Sequence, residues 1–166
     1  MSDLPKRELD HEFQDNKHRD YAYDFDYRMH KYMIRAFAQH FSGQSALEMG
    51  CFEGGFTKRL VKIFDDVSVV EGSGDLVAVA QKALGDKATF YTSWFEKFDP
   101  ERQYDNIFLM HTLEHVDDPV SLLERVRSWL TPKGRLFLAV PNAQAASRQI
   151  AVAMRLIDHT CAVTKG

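Results

Sequence analysis

The feature that most constrains this chain is a glycine-rich turn between an apolar segment and a helical pattern, within residues 45–60. The apolar segment runs from Ala46 to Met49, and the turn runs from Gly50 to Gly55. From Phe56 onward, apolar residues recur at the spacing of one helix face. A strand, a glycine turn and a helix in this order open a doubly wound α/β fold, whose ligands bind at the carboxyl ends of the strands. The sequence therefore predicts a ligand site at this turn.

The residues of the turn favour a cationic ligand over a dinucleotide. A dinucleotide fingerprint has glycine at the first, third and sixth positions of the turn, but Phe52 holds the third position here and no P-loop lysine follows. Glu48 lies two residues before the first glycine, and Glu53 lies inside the turn. Carboxylates repel a phosphate, whereas they suit a ligand that carries an ammonium and a sulfonium. S-adenosylmethionine is such a ligand.

Three segments of the chain resemble motifs of class I S-adenosylmethionine-dependent methyltransferases of the small-molecule type. The segment EMGCFEG resembles their first motif, an acid-x-Gly-x-Gly-x-Gly pattern, with Phe52 in place of the middle glycine. The segment YDNIFLMHTLEHVDDP, and then LTPKGR with VPN, resemble the region of the fourth and fifth strands. Together the motifs cover most of residues 27–150. The resemblance implies that the first motif binds the cofactor through Glu48, Gly50, Cys51, Phe52 and Gly54.

An acid after the second predicted strand marks the expected ribose site. Val67 to Val70 form that strand, and Glu71 follows it, 21 residues after Gly50. This is close to the spacing of roughly 20 residues at which an acid accepts hydrogen bonds from a ribose. Gly72 leaves room beside it. As a strand-end residue, Glu71 is expected to border solvent and to contribute little to folding.

The resemblance also implies contacts with the two ends of the cofactor. In related methyltransferases a helix like the one predicted over residues 27–41 covers the methionine end, so Tyr27 is expected to reach it. Tyr21, Tyr23 and His30 are other candidates, and the alternative is that these aromatic side chains only pack the helix on the sheet. The third predicted strand covers residues 88–91, and the segment after it stands where the family places its adenine loop. The residues implied there are Ser93, Trp94 and Phe95.

Two histidines after the fourth predicted strand, over residues 104–110, are the candidate catalytic residues. His111 and His115 lie at the cofactor face, and histidine suits proton transfer near neutral pH. His111 is also expected to border the cofactor. A base is needed only if the methyl acceptor arrives protonated. The alternative for His115 is a hydrogen bond to the backbone at the start of the next helix. No Asn/Asp-Pro-Pro-aromatic motif follows this strand, which argues against a nucleobase acceptor.

The predicted architecture is a three-layer α/β/α Rossmann-like methyltransferase fold with a parallel sheet in the order 3-2-1-4-5. Right-handed crossovers from the first strand in both directions require this order. We expect a flexible polar leader over residues 1–20, a cofactor-covering helix within residues 21–43 and the S-adenosylmethionine-binding domain over residues 44–166. The family fold has seven strands and this chain supplies five, so strands 6 and 7 are expected to be missing. The fifth strand, over residues 135–140, then becomes an exposed edge that favours self-association.

Composition narrows the class of protein further. A length of 166 residues indicates one domain, and a net charge of −3 with scattered basic residues gives no footprint for nucleic acid. Two distant cysteines, Cys51 and Cys161, indicate a reducing compartment, and no segment is apolar enough for a membrane. We therefore expect a cytoplasmic enzyme with a small-molecule acceptor and no metal. The alternatives are an NAD-dependent oxidoreductase on a similar fold and a cofactor-binding protein without turnover.

Overall fold

A computed structural model describes the backbone of residues 20–155 and the side chains of residues 27–146 and 148–155. In this part of the chain, the strands are β1 (Ser45–Met49), β2 (Asp66–Glu71), β3 (Thr89–Thr92), β4 (Tyr104–Met110) and β5 (Leu130–Ala139). The helices are α1 (Asp20–Phe37), α2 (Thr57–Leu60), α3 (Gly74–Leu84), α4 (Pro119–Ser128) and α5 (Ala146–Ala153). Apart from Asp20, which begins α1, the expected leader lies outside the described residues.

The strands form one parallel sheet in the order β3-β2-β1-β4-β5, which confirms the predicted topology. The central strand β1 pairs with β2 on one side and with β4 on the other. Because the strands are parallel, their carboxyl ends lie at one edge of the sheet. The turn after β1, Glu71 at the end of β2 and His111 after β4 therefore share that edge.

Alternate residues of β4 divide the apolar core between the two faces of the sheet. Phe108 and Met110 pack in a cluster with residues of α1, α2 and α3. Ile107 and Leu109 pack in a second cluster with residues of α4. The sheet is thus the middle of three layers, as predicted. Helix α1 packs on the same core as the sheet. The expected division of the chain into residues 21–43 and residues 44–166 stays a prediction.

The helix before β1 differs from the sequence prediction at both ends. It begins at Asp20 rather than Tyr27, and it ends at Phe37, after which a 3-10 turn covers Ala38–His40. The apolar spacing that predicted a helix up to Phe41 has another cause. The backbone of Phe41 is extended, and its ring packs against the rings of the first core cluster, 5.0 Å from that of Phe64 between centroids.

The last strand begins earlier than predicted, at Leu130 rather than Arg135. Tyr104 pairs with Leu130 and Asn106 pairs with Arg135, so residues 131–134 form an irregularity within the strand. Among the described residues, β5 pairs only with β4. The self-association expected at its other edge stays a prediction. None of the described helices is long and apolar enough to cross a membrane.

A carboxylate holds the amino ends of β1, β4 and β5 together. Asp105 accepts hydrogen bonds from the amides of Gln44 and Ser45 at 3.1 and 3.2 Å, and from the hydroxyls of Ser45 and Thr131 at 2.9 and 3.1 Å. Partial burial acts to raise the pKa of Asp105, but these hydrogen bonds outweigh it and hold the pKa below its usual range. The amino edge of the sheet is therefore closed by a satisfied polar network.

Replacing Asp105 with alanine should lower the free energy of unfolding by about 1–3 kcal/mol, because two amides and two hydroxyls lose their acceptor. Urea denaturation at pH 7 measures the loss, with the exposed Asp65→Ala as the control. Since the folded pKa is depressed, the difference between wild type and D105A should be present above about pH 4 and should shrink as the pH falls. Equal unfolding midpoints for both proteins at pH 7 would rule out this role.

Candidate functional site

The turn after β1 packs closely against the loop after β4. Gly50 has a φ of 81°, and a Cβ there would lie 2.7 Å from the hydroxyl of Thr112. That hydroxyl donates a hydrogen bond of 2.9 Å to the carbonyl of Met49. Only glycine fits both this backbone conformation and this contact. The contact fixes the two loops against each other.

Phe52, which stands in place of the middle glycine of the family pattern, adopts a backbone conformation that favours glycine. Its φ is 51°, in the left-handed region that favours glycine and that a bulky residue rarely adopts. A residue with a Cβ costs about 1–2 kcal/mol in this conformation. The conformation directs the amide of Phe52 to Glu71, which accepts its hydrogen bond at 3.2 Å. This hydrogen bond ties the turn after β1 to the end of β2.

Glu71 lies at the end of β2 and is held by backbone amides from two turns. One carboxylate oxygen accepts from Phe52 and the other accepts from the amide of Ser73 at 3.1 Å. Burial raises the pKa of Glu71, while these amides and those of Gly72 and Cys51 act against the rise. The side chain does not border solvent as expected, because the residue is only 8% exposed. The amides fix the carboxylate in one orientation.

Glu48 is enclosed, and its charge is suppressed. The residue is 1% exposed, and its carboxyl group accepts a hydrogen bond of 2.6 Å from the hydroxyl of Thr57 in α2. Burial raises the pKa of Glu48 to about 8, the Thr57 hydrogen bond opposes this rise, and the nearby Glu71 adds to it. At neutral pH the group is mostly protonated. The hydrogen bond from Thr57 ties β1 to α2 through Glu48, and the contact of Glu48 with a cofactor stays a prediction.

The loop after β4 brings together His111 and an acid that the sequence analysis missed. His111 has a φ of 55°, and its Nδ1 lies 3.7 Å from Oε1 of Glu114. The acid follows the histidine by three residues on a 3-10 turn, Leu113–His115, and this spacing was the available signal. The side chain of His115 is exposed, and its amide donates to the carbonyl of Thr112. The structure therefore pairs His111 with a carboxylate.

Three buried polar side-chain atoms lack a hydrogen-bond partner in the described part of the chain. They are Nδ1 of His30, Nε of Arg59 and Oε2 of Glu114. Burial, together with the charges of Arg59 and His111, lowers the pKa of His30 to about 4, so its ring is neutral at pH 7. The three atoms come from α1, α2 and the loop after β4. Unpaired buried groups of this kind require an explanation, and a ligand is one.

The side chain of Tyr27 fastens α1 to the glycine turn. Its hydroxyl donates to Glu53 at 3.2 Å, and its ring lies 5.6 Å from that of His30. A Cβ at Gly55 would collide with the tyrosine ring, so this close approach depends on glycine. Tyr27 therefore lies beside the turn, and its contact with a cofactor stays a prediction. The side chains of Tyr21 and Tyr23 lie outside the described residues.

The predicted adenine loop follows β3 and lies next to Glu71. The amide of Ser93 donates to the backbone carbonyl of Glu71 at 3.0 Å. Trp94 is half-buried, and Phe95 packs against the core cluster on the α4 face of the sheet. Cys51 is buried beside the same edge, and burial raises the pKa of its thiol. The sequence-predicted residues on the loops after β1, β2 and β3 thus meet at one edge.

Comparisons with known proteins agree with this geometry. The family described as "Methyltransferase domain" matches residues 18–163. The chain is 28% identical over 116 residues to the ubiquinone biosynthesis O-methyltransferase of Xanthomonas euvesicatoria pv. vesicatoria, covering 67% of this chain and 48% of that protein. It is 31% identical over 94 residues to malonyl-[acyl-carrier protein] O-methyltransferase 1 of Ilyobacter polytropus, covering 54% of this chain and 35% of that protein. The chain thus spans less than half the length of both relatives.

A solved structure shows the same relationship. The structure of the DhpI-SAH complex matches with a TM-score of 0.58 and 29% identity, covering 70% of this chain and 60% of that chain.

The buried carboxyl of Glu48 predicts a pH-dependent stability. Its usual pKa is 4.5 and its folded pKa is about 8, so unfolding between these values releases a proton and the free energy of unfolding falls as pH rises. The slope is at most about 1.4 kcal/mol per pH unit. Glu48→Gln keeps the size and an acceptor for Thr57, so its unfolding free energy should fall less between pH 5 and pH 8. The exposed Glu124→Gln should keep the wild-type slope. Parallel profiles for E48Q and wild type would contradict the assignment.

Proposed function

The chain belongs to the family of S-adenosylmethionine-dependent methyltransferases, and from this premise we propose that it binds S-adenosylmethionine and transfers its methyl group to a small-molecule acceptor. The observation that carries the proposal is the carboxylate of Glu71, which backbone amides hold at the end of β2. A carboxylate has about four acceptor positions, so one that is already oriented can also accept from the two hydroxyls of a ribose. Its place beside the turn after β1 fits a nucleoside.

The three unpaired buried atoms support a binding site for the amino-acid end of the cofactor. Nε of Arg59 is a donor and suits the carboxylate of the methionine moiety. Oε2 of Glu114 and the neutral Nδ1 of His30 are acceptors when the His30 proton is on Nε2, and they suit the ammonium. We propose that a zwitterion bound among α1, α2 and the loop after β4 satisfies these groups. The other proposed cofactor contacts are Tyr27, Gly50, Cys51, Phe52, Gly54, Gly72, Ser93, Trp94, Phe95 and His111.

In this reaction the protein mainly holds the two reactants in position, and it contributes less to their chemical activation. S-adenosylmethionine supplies a methyl group that is already activated by the sulfonium. Holding the two reactants in line can lower the barrier by about 7–11 kcal/mol. A protonated acceptor also needs a base, and we propose His111, whose Nδ1 lies 3.7 Å from Oε1 of Glu114. The exposed His115 is the weaker candidate.

The acceptor that we propose is a hydroxyl or carboxyl oxygen of a metabolite. The two curated relatives are named O-methyltransferases, and this favours oxygen over nitrogen or carbon. We also propose that the protein acts in the cytoplasm, where a buried free thiol such as that of Cys51 persists.

Glu71→Gln should lower the affinity for S-adenosylhomocysteine about ten- to a hundredfold, because a charge-assisted acceptor is lost and a donor takes its place. Isothermal titration calorimetry measures the change, and Glu53→Gln is the control that should have a smaller effect. Circular dichroism must show that E71Q is folded, since Glu71 is buried. The charge-preserving Glu71→Asp should keep more affinity than E71Q. Wild-type affinity in folded E71Q, or binding of NAD in preference to S-adenosylhomocysteine, would sink the cofactor assignment.

His111→Gln should lower kcat by about two to four powers of ten if the acceptor arrives protonated, and the loss of cofactor affinity, measured separately, should be much smaller than the loss of kcat. The assay follows S-adenosylhomocysteine formed from S-adenosylmethionine with a phenol, a carboxylic acid and an amine. His115→Gln is the matched control and should stay near wild type. The base assignment fails if both variants turn over alike. Cofactor binding by wild type without turnover of any acceptor would favour a binding protein over an enzyme.

A further inference from the structure

Arg125 of α4 donates hydrogen bonds to three backbone carbonyls of the loop after β3. Its Nη1 lies 3.0 Å from the carbonyl oxygen of Phe95 and 2.7 Å from that of Glu96. Its Nη2 donates to the carbonyl of Phe98. Residues 93–98 contain no strand or α-helix, so these carbonyls have no ladder to satisfy them. A single guanidinium therefore supplies their partner.

Aromatic side chains hold the guanidinium of Arg125 in place. Its Cζ lies 5.2 Å from the centre of the ring of Trp129, a cation–π distance. The ring of Phe98 lies edge-on to Trp129 at 5.6 Å, and the indole donates to Asp99 at 3.3 Å. Trp129 is buried among these contacts. The donor is thus fixed before any ligand binds.

The loop is anchored at both ends. At its start, the amide of Ser93 donates to the carbonyl of Glu71, beside the proposed ribose site. At its end, Arg125 holds the carbonyls of residues 95, 96 and 98. Between these anchors, the amides of Lys97 and Phe98 both donate to the carbonyl of Trp94. The shape of the loop around Trp94 therefore depends on the two anchors.

We propose that Arg125 is a positioning residue, which holds the loop of residues 93–98 in the conformation that receives the adenine ring. The inference rests on the proposed function and adds a residue that has no place in the cofactor motifs. An arginine is required because its planar group presents five donors, and three carbonyls on one side use them together. A lysine at this position supplies charge but not the same geometry.

The loop itself provides a test that needs no ligand. Arg125→Met keeps the aliphatic stem and removes the donors, and Arg127→Met, at an exposed arginine of the same helix, is the matched control. In R125M the amides of Lys97 and Phe98 should exchange hydrogen about tenfold faster than in wild type. In R127M their exchange should not change. Equal exchange rates in R125M and R127M would overturn the proposed role of Arg125.

The link between Arg125 and the adenine ring is tested with two ligands that differ only at the purine ring. S-adenosylhomocysteine has an N6 amine, and S-inosylhomocysteine has a carbonyl there. Calorimetry should show that wild type and R127M prefer the adenine form by about tenfold, and that R125M loses most of this preference. Arg125→Lys should recover part of it. A general loss of stability would weaken both ligands equally and leave the preference unchanged, and that result would overturn the inference.

The two proposals fail in different ways. If wild type binds neither ligand, the proposed function fails, and the assignment of the loop to adenine fails with it. If wild type binds both ligands and R125M keeps the wild-type preference, only the inference about Arg125 fails.

Discussion

The carboxylate of Glu71 is the interaction on which the carboxyl edge of the sheet depends. Its two oxygens join the turn after β1, through Phe52, to the turn after β2, through Ser73. Its own backbone carbonyl accepts from Ser93, so the loop after β3 is tied to the same residue. Burying a carboxylate is costly unless hydrogen bonds compensate for lost water, and here the backbone provides them. One acid thus aligns three loops that are far apart in the sequence.

The two edges of the sheet differ in how completely their buried polar groups are paired. At the amino edge, Asp105 of β4 accepts hydrogen bonds from Ser45 of β1, from Thr131 of β5 and from Gln44, just before β1. At the carboxyl edge, three buried polar atoms on His30, Arg59 and Glu114 have no partner among the described residues. The hydrogen bonds of Asp105 stabilise the fold, whereas the unpaired atoms leave buried polar groups without compensating hydrogen bonds. Such a contrast is typical of a scaffold that carries a site at one end.

Local patterns were sufficient to predict the sheet and the acid at the end of β2. The bounds of β4 match the predicted range, whose second half, Ile107 to Met110, is continuously apolar, and the place of Glu71 follows from its distance to the glycine turn. The three-residue spacing of His111 and Glu114 is a local signal of their pairing. The meeting of His30 with Arg59 depends instead on how α1 packs on the sheet, which no short window of sequence contains. The pKa of Glu48 was missed for a similar reason, because burial is a property of the folded chain. Phe41 was assigned to a helix because its spacing fits one, but tertiary contacts with other rings direct it elsewhere.

The unpaired atoms at the carboxyl edge also bear on the lifetime of the protein in a cell. A folded state that keeps unsatisfied buried groups opens more readily, and open chains are the form that proteases cleave. A ligand that pairs these groups binds the folded state alone and reduces the open population by mass action. The abundance of the protein will then follow the supply of that ligand, without any change in the rate of its synthesis.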